Sequence, residues 1–290
     1  MSTTAKEAFS QHAKMILEPY KLRADLEMQK AFSQFGPENQ VKEAMVYALM
    51  GEAKRFRPAL VYMVAEALQK NSDVTPAALS VEYFHTASLI ADDLPCMDND
   101  DYRRGRLTTH KVYSENVALL ASYALIAAGF EQIAKNVVQD AEVSRLAVLL
   151  AAKTMGALGL IGGQCYDLFP GALDRKEIVK IIDMKTGALF DLSFSLGWLF
   201  GGGDLQKLDL VHKAAYHFGI AFQVLDDLDD QEKDAARGAV NYANQFGVKE
   251  AVQYVQDEVA QFLALLNQLG LAQSPLTALA KGLHQLSKAY

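Results

Sequence analysis

The chain has 290 residues, with 28 Lys and Arg against 35 Asp and Glu, a formal net charge of -7 and 51% apolar residues. That length gives one large domain or two small ones, and that charge argues against a nucleic-acid partner, which needs a basic face. Local cations can still draw an anionic small substrate into a cleft.

Two cysteines, Cys96 and Cys165, fit a reducing compartment and have neither a disulfide framework nor the spacing of a zinc site. Cys96 reads as a small side chain at a tight bend. The first 29 residues contain no apolar signal core and carry acidic residues early, unlike a transit peptide. The longest uncharged apolar run, near Val117–Phe130, is shorter than the roughly 20 residues that cross a bilayer. The expectation is a cytoplasmic protein, not integral to a membrane.

Apolar residues recur at three and four spacing almost throughout, which predicts helices. In chain order these run over Val41–Leu68, Pro76–Asp92, Asn116–Val138, Glu142–Leu160, Lys176–Leu199 and Leu205–Asp230. Thr75 before Pro76 reads as an N-cap with proline at the first helical position. Asp174 with Glu177 reads as a capping box, and Gly201–Gly203 as a turn. Gln231–Asn244 is polar and aperiodic. The reading is one all-α domain over residues 1–290.

Two acidic clusters close long apolar runs. In "FQVLDDLDD", residues 222–230, Asp226 and Asp230 share a helix face, with Asp227 beside them and Gln223 pointing the same way. In "LIADDLPCMDNDDYRRG", residues 89–105, Asp92, Asp93 and Asp98 do not share a face on a regular helix, because six residues turn the chain by about 600°. Pro95 predicts a local distortion that lets Asp92 and Asp98 converge. All-carboxylate clusters suit hard cations, and magnesium binds through one or two carboxylates plus substrate phosphates.

Cations accompany them. "KRFRP" supplies Lys54, Arg55 and Arg57, and Arg103 and Arg104 follow the first cluster. The guanidinium fork matches phosphate oxygens. Lys185 falls within the stripe of Ile178, Ile181, Ile182 and Leu189, where an unpaired ammonium is costly. His85 lies two helical turns before Asp92.

With these motifs in view, the chain resembles the trans-isoprenyl diphosphate synthases. "DDLPCMDNDDYRRG" is similar to the family's first aspartate-rich motif, in the form with two extra residues, and "FQVLDDLDD" to its second. "KRFRP", "EYFHTASLIADD", "TTHKV", "GGQCYDL" and "KTGALF" follow in family order, so the resemblance covers roughly Lys54 to Asp230. It implies a single helical bundle around a central cavity, usually a homodimer. Two aspartate helices would face each other across magnesium.

By position, Asp92, Asp93, Asp98, Asp226, Asp227 and Asp230 would bind Mg2+. Arg103, Lys185, Thr186 and Gln223 would serve an allylic diphosphate. Lys54, Arg57, His85 and Arg104 would hold isopentenyl diphosphate. The implied reaction is a head-to-tail condensation by ionisation, condensation and elimination.

In the family, bulk four or five residues before the first aspartate shortens the product. Here those positions are Ser88 and Ala87, with Phe84 as a deeper floor, so geranylgeranyl diphosphate is expected ahead of farnesyl diphosphate. The chain departs from the family at three places. Glu52 and Ala53 replace two glycines, Ala91 replaces a histidine, and the stretch after Asp230 is short, with Lys233 or Arg237 in place of a Gly-Lys loop. A non-catalytic regulatory subunit and a terpene cyclase are the alternatives. The isopentenyl-diphosphate set argues against the cyclase.

Overall fold

A computed structural model describes residues 3–137 and 140–290, with side chains from Lys14 onward. Fifteen α-helices and one two-stranded hairpin make up these residues. α1 (Thr3–Ala31), α2 (Gln40–Leu49), α3 (Phe56–Ala67) and α4 (Thr75–Asp92) precede the hairpin of β1 (Tyr102–Arg103) and β2 (Arg106–Leu107). Then come α5 (Thr109–Val112), α6 (Glu115–Lys135), α7 (Ala141–Met155), α8 (Leu160–Leu168), α9 (Arg175–Ile182) and α10 (Ala188–Phe200). α11 (Leu208–Asp229), α12 (Gln231–Arg237), α13 (Tyr242–Phe246), α14 (Val248–Leu269) and α15 (Pro275–Ser287) complete the fold.

α4 is central because almost every face of it is apolar or small. It packs on α3, α6 and α10, and Tyr83, Phe84 and Ala87 are fully buried. α10 is buried from Leu189 to Phe200. Its Phe190 and Phe194 meet Phe218 of α11 and Phe262 of α14, with ring centroids 5.0–5.8 Å apart. At these separations edge and tilted contacts add to the area each ring buries. α4 and α11 thus stand in one rigid core with their C-terminal ends free to carry polar groups.

Several expected boundaries shift. The run Val41–Leu68 breaks into α2 and α3 because Arg55 adopts a left-handed conformation, φ 47°. Its guanidinium holds it there. Nε donates to Asp25 at 2.7 Å, Nη1 to Glu82 at 2.6 Å, and Nη2 to the Leu49 carbonyl. Such a conformation persists only where its surroundings over-determine it. Thr75 is the first residue of α4 and Val74 its cap. Asp174 caps α9, accepting from the Glu177 amide at 2.8 Å.

Lys176–Leu199 is one rod containing a π-helical turn, Asp183–Gly187, between α9 and α10. Glu142–Leu160 breaks after Met155. The aperiodic stretch Gln231–Asn244 holds α12 and the start of α13. α6 ends at Lys135; Val138, the expected end, lies outside the described residues.

Candidate active site

The first wall is the end of α4. The chain doubles back there. The Asp98 amide donates to the Asp92 carbonyl at 2.9 Å, and the Met97 and Asn99 amides both donate to the Leu94 carbonyl. Asn99 completes the loop with φ 52°. This is the distortion that Pro95 signals, and it returns Asp98 beside Asp92. Burial pushes Asp92 up to about 6; Lys185 opposes the rise and Asp98 adds to it.

Adjacent helical residues point about 100° apart, so Asp93 turns away from Asp92. It is buried at 4% exposure, and Arg103 grips its Oδ1 through Nε at 2.7 Å and Nη2 at 2.6 Å. The hairpin delivers this arginine. Arg104 and Gly105 both have positive φ, 53° and 76°, the geometry of a tight two-residue hairpin turn. Tyr47 ties the far strand by donating to the Leu107 carbonyl at 2.8 Å.

The second wall is the end of α11, and it repeats the division of labour. Asp226 is exposed and Asp230 half-buried, while Asp227 is 4% exposed. Asp227 accepts from Gln223 Nε2 and from the Tyr242 amide, each at 2.8 Å. Thr186 in turn donates to Gln223 Oε1 at 2.7 Å. Asn241 Nδ2 donates to the Asp227 carbonyl at 2.8 Å, fastening α13 beneath the cluster. Burial pushes Asp227 up to about 6. Asp226 is raised by desolvation and then by Asp230, and Lys54 pulls it down.

The π turn places Lys185 and Thr186. An α-helical register keeps Lys185 within the apolar stripe; the extra residue of the π turn rotates it out. Lys185 Nζ reaches Asp167 Oδ2 at 2.5 Å. The turn is held between two glycines. A Cβ on Gly163 of α8 would lie 2.5 Å from the Lys185 amide nitrogen, and one on Gly219 of α11 would lie 3.1 Å from Gly187 Cα. Asp167 and Gly163 are site residues that the sequence reading misses. Their signal is the "GGQCYDL" block, in which a glycine pair precedes a carboxylate.

Beside the first wall is a cationic group that forms no ion pair among the described residues and feels Glu82 at longer range. Arg57 Nη1 donates to His85 Nε2 at 3.3 Å and its guanidinium lies over the Phe190 ring at 5.0 Å. Arg57 Nε is buried without a partner among the described residues. Burial lowers Arg57 to about 10, with Glu82 opposing and Arg104 adding to the fall, and burial drives His85 well below its ordinary value, with Arg57 next in effect. Arg104 Nη1 donates to the Glu52 carbonyl at 3.2 Å. Unpaired donors at partly buried positions are a site that an anion would satisfy. Lys54 is exposed nearby in sequence, whereas Arg55 serves the core.

A charged side chain links the regions of the two walls. Arg237, at the end of α12, crosses to the first loop and donates to Asp100 Oδ1 at 2.9 Å. Lys233 pairs with Asp230 at 3.0 Å instead. Down α4 from Asp92, Ser88 is half-buried and its Oγ donates to the His85 carbonyl at 2.8 Å. Ala87 turns toward α6, whose Ser122 Oγ donates to the Ala87 carbonyl at 2.9 Å. Phe84 is fully buried.

Among the described residues, no three Asp, Glu, His or Cys side chains are gathered closely enough to hold an ion unaided. One inward carboxylate pair per wall fits a magnesium ion that takes its remaining ligands from water and phosphate.

A family model described as polyprenyl synthetase matches residues 38–240. The chain is 36% identical over 260 residues to the heterodimeric geranylgeranyl pyrophosphate synthase large subunit 2 of Arabidopsis thaliana, covering 82% of this chain and 69% of that one. It is 41% identical over 203 residues to the chloroplastic geranylgeranyl pyrophosphate synthase 7 of the same plant, covering 68% and 58%. The match thus spans about six-tenths of the length of several such relatives. A crystal structure of an FPP/GFPP synthase from Zymomonas mobilis superposes with a TM-score of 0.81 at 31% identity, covering 97% of this chain and 99% of that one.

Proposed function

The chain belongs to the polyprenyl synthetase family, and on that premise we propose that it is a short-chain prenyltransferase that joins isopentenyl diphosphate head to tail with an allylic diphosphate. The observation that carries the proposal is the paired wall. At the end of each aspartate helix one carboxylate pair, Asp92 with Asp98 and Asp226 with Asp230, stands close enough to repel, while the neighbouring aspartate is tied into the structure. Asp93 and Asp227 are then positioning residues, holding Arg103 and Gln223 in place.

Magnesium bound at the inward carboxylates would supply positive charge for a departing diphosphate. Lys185, Arg103, Thr186 and Gln223 hold that diphosphate from the side. Arg57, His85, Arg104 and Lys54 hold the second diphosphate. Ionisation of the allylic C–O bond leaves a cation among apolar side chains. The isopentenyl double bond attacks it, which moves the positive charge to the other alkene carbon, and a proton lost from the carbon next to that centre passes to the released diphosphate as the product double bond forms. Preorganised cations aimed at charge that develops in the transition state are the main source of rate in such a site.

Ser88 and Ala87 are small where bulk would close the face below Asp92, which supports geranylgeranyl diphosphate as the product; farnesyl diphosphate is the alternative.

A homodimer is the assembly we propose. α6 exposes Leu119, Leu120 and Tyr123, α7 exposes Val148 and Leu149, and Leu158 and Ile161 continue the surface. α6 and the α7–α8 segment are long and apolar enough to cross a membrane by composition. Their inner faces pack on α4 and α10, so a second copy accounts for the outer faces. We retain the cytoplasm as the proposed location.

Titration calorimetry with a farnesyl thiolodiphosphate, which does not ionise readily, tests the site. Binding should need magnesium and fall sharply in Asp92→Asn and Asp226→Asn. Tight binding with chelator present contradicts the assignment.

A further inference from the structure

We propose that Gly129 of α6 sets product length, by giving the Phe84 ring a recess in which to lie. The proposal rests on the prenyl-chain reading above and assigns specificity to a residue outside both aspartate helices.

On α4 below Asp92, Ser88 is half-buried and Phe84, one turn further down, is fully buried. Eight residues separate Asp92 from Phe84, about 12 Å along the axis. A chain that descends from the aspartates past Ser88 therefore meets the Phe84 ring. The position of that ring is the floor.

What fixes the ring is α6. A Cβ built on Gly129 would lie 2.5 Å from Phe84 Cε1 and 2.8 Å from both Cδ1 and Cζ. One side of the ring rests directly on the α6 backbone. Phe130, the next residue, meets it edge-on at 5.2 Å between centroids. Glycine inside a helix costs about 1 kcal/mol relative to alanine, so this position sacrifices helix stability for space.

An added methyl would force the ring back by about 1 Å to reach ordinary contact. A phenyl ring has no flexible end with which to yield. α6 blocks one direction and Phe130 a second. What remains is the interior cluster shared with α7 and α10, which includes Ala147, Ala151, Leu192 and Leu196, and there the ring shortens the space beneath Ser88. Chains grow in five-carbon steps, so a small rise of the floor decides whether the last unit fits.

The test compares wild type, Gly129→Ala, Phe84→Ala and the double variant in their product lengths from labelled isopentenyl diphosphate, with thermal melting to verify folding. Gly129→Ala should lower the C20 to C15 ratio by about tenfold or more, a typical overpacking effect. The double variant should behave as Phe84→Ala does, because the methyl then has room. An unchanged distribution in Gly129→Ala, or an equal shift with Phe84 absent, overturns the proposal.

Should Gly129→Ala not fold alone, the recess is read from rescue: adding Phe84→Ala should restore a cooperative melting transition and give the same products as Phe84→Ala alone, longer than those of wild type. A double variant that still does not fold, or whose products are shorter than those of Phe84→Ala, overturns the proposal. If even wild type forms no prenyl product, the fault lies with the prenyltransferase reading. Gly129 is then tested by binding alone, where Gly129→Ala should weaken a geranylgeranyl thiolodiphosphate about tenfold more than a geranyl one, and equal weakening overturns the recess.

Discussion

Asp226 and Asp227 are neighbours in sequence with opposite jobs, and substitution should separate them. Asp227 accepts two hydrogen bonds at 2.8 Å in a buried setting, one from the backbone amide of Tyr242. Burial holds its pKa up at about 6, so Asp227→Asn and Asp227→Ala relieve that charge equally. They differ in the bonds. Asn keeps an oxygen for the Tyr242 amide. Its NH2 can donate to Gln223 if that amide turns over, with Thr186 Oγ1 then accepting. Ala leaves two donors unmet.

At about 1–3 kcal/mol for each stranded donor, Asp227→Ala should be less stable than Asp227→Asn by about 2–6 kcal/mol. Asp226 has no side-chain hydrogen bond among the described residues and is repelled by Asp230. Asp226→Ala should hold stability within about 0.5 kcal/mol while turnover nearly vanishes. Urea unfolding in chelator measures the first quantity and a radiolabel assay the second. Equal stability of the two Asp227 variants, or a matching loss in Asp226→Ala, would refute the division of roles.

Arg55→Ala should cost about 3–5 kcal/mol in a denaturant titration, because Glu82, at 2% exposure, loses its buried counter-charge. Asp183 is half-buried and its pKa is raised to about 6 by burial and Asp191. A raised carboxylate favours the folded state below the unfolded pKa, and that contribution is lost as pH rises through 6. Asp183→Asn should therefore be more stable than wild type at pH 7.5, by about 1–2 kcal/mol after screening, with the gap closing by pH 4; melting curves across that range show it. Arg237→Ala removes only an exposed pair worth about 0–1 kcal/mol, so folding should persist while the Michaelis constant for the allylic diphosphate rises. Leu120→Glu with Tyr123→Glu should convert a dimer to a monomer on light scattering.

The sequence carries the helices and the doubled-back first loop, because three-four periodicity and a proline after paired aspartates each have a local cause. The split of Val41–Leu68 is not legible there. It depends on Asp25 and Glu82, distant residues that capture Arg55 in a left-handed turn. The helices within Gln231–Asn244 lack an apolar stripe and are defined by Asn241 and the Asp227 carbonyl. The π turn is invisible to periodicity because it inserts one residue without changing composition. The different fates of adjacent aspartates are available in principle, since 100° of rotation cannot aim both at one ion. Which of each pair turns inward depends on Arg103 and Tyr242, and only the fold supplies them.

The most direct measurement offers purified protein magnesium, labelled isopentenyl diphosphate and dimethylallyl, geranyl or farnesyl diphosphate in turn, and sizes the alcohols after dephosphorylation. A C20 alcohol that disappears with chelator or in Asp226→Ala is the predicted result. No prenyl product from any starter would contradict a catalytic role for the two aspartate walls.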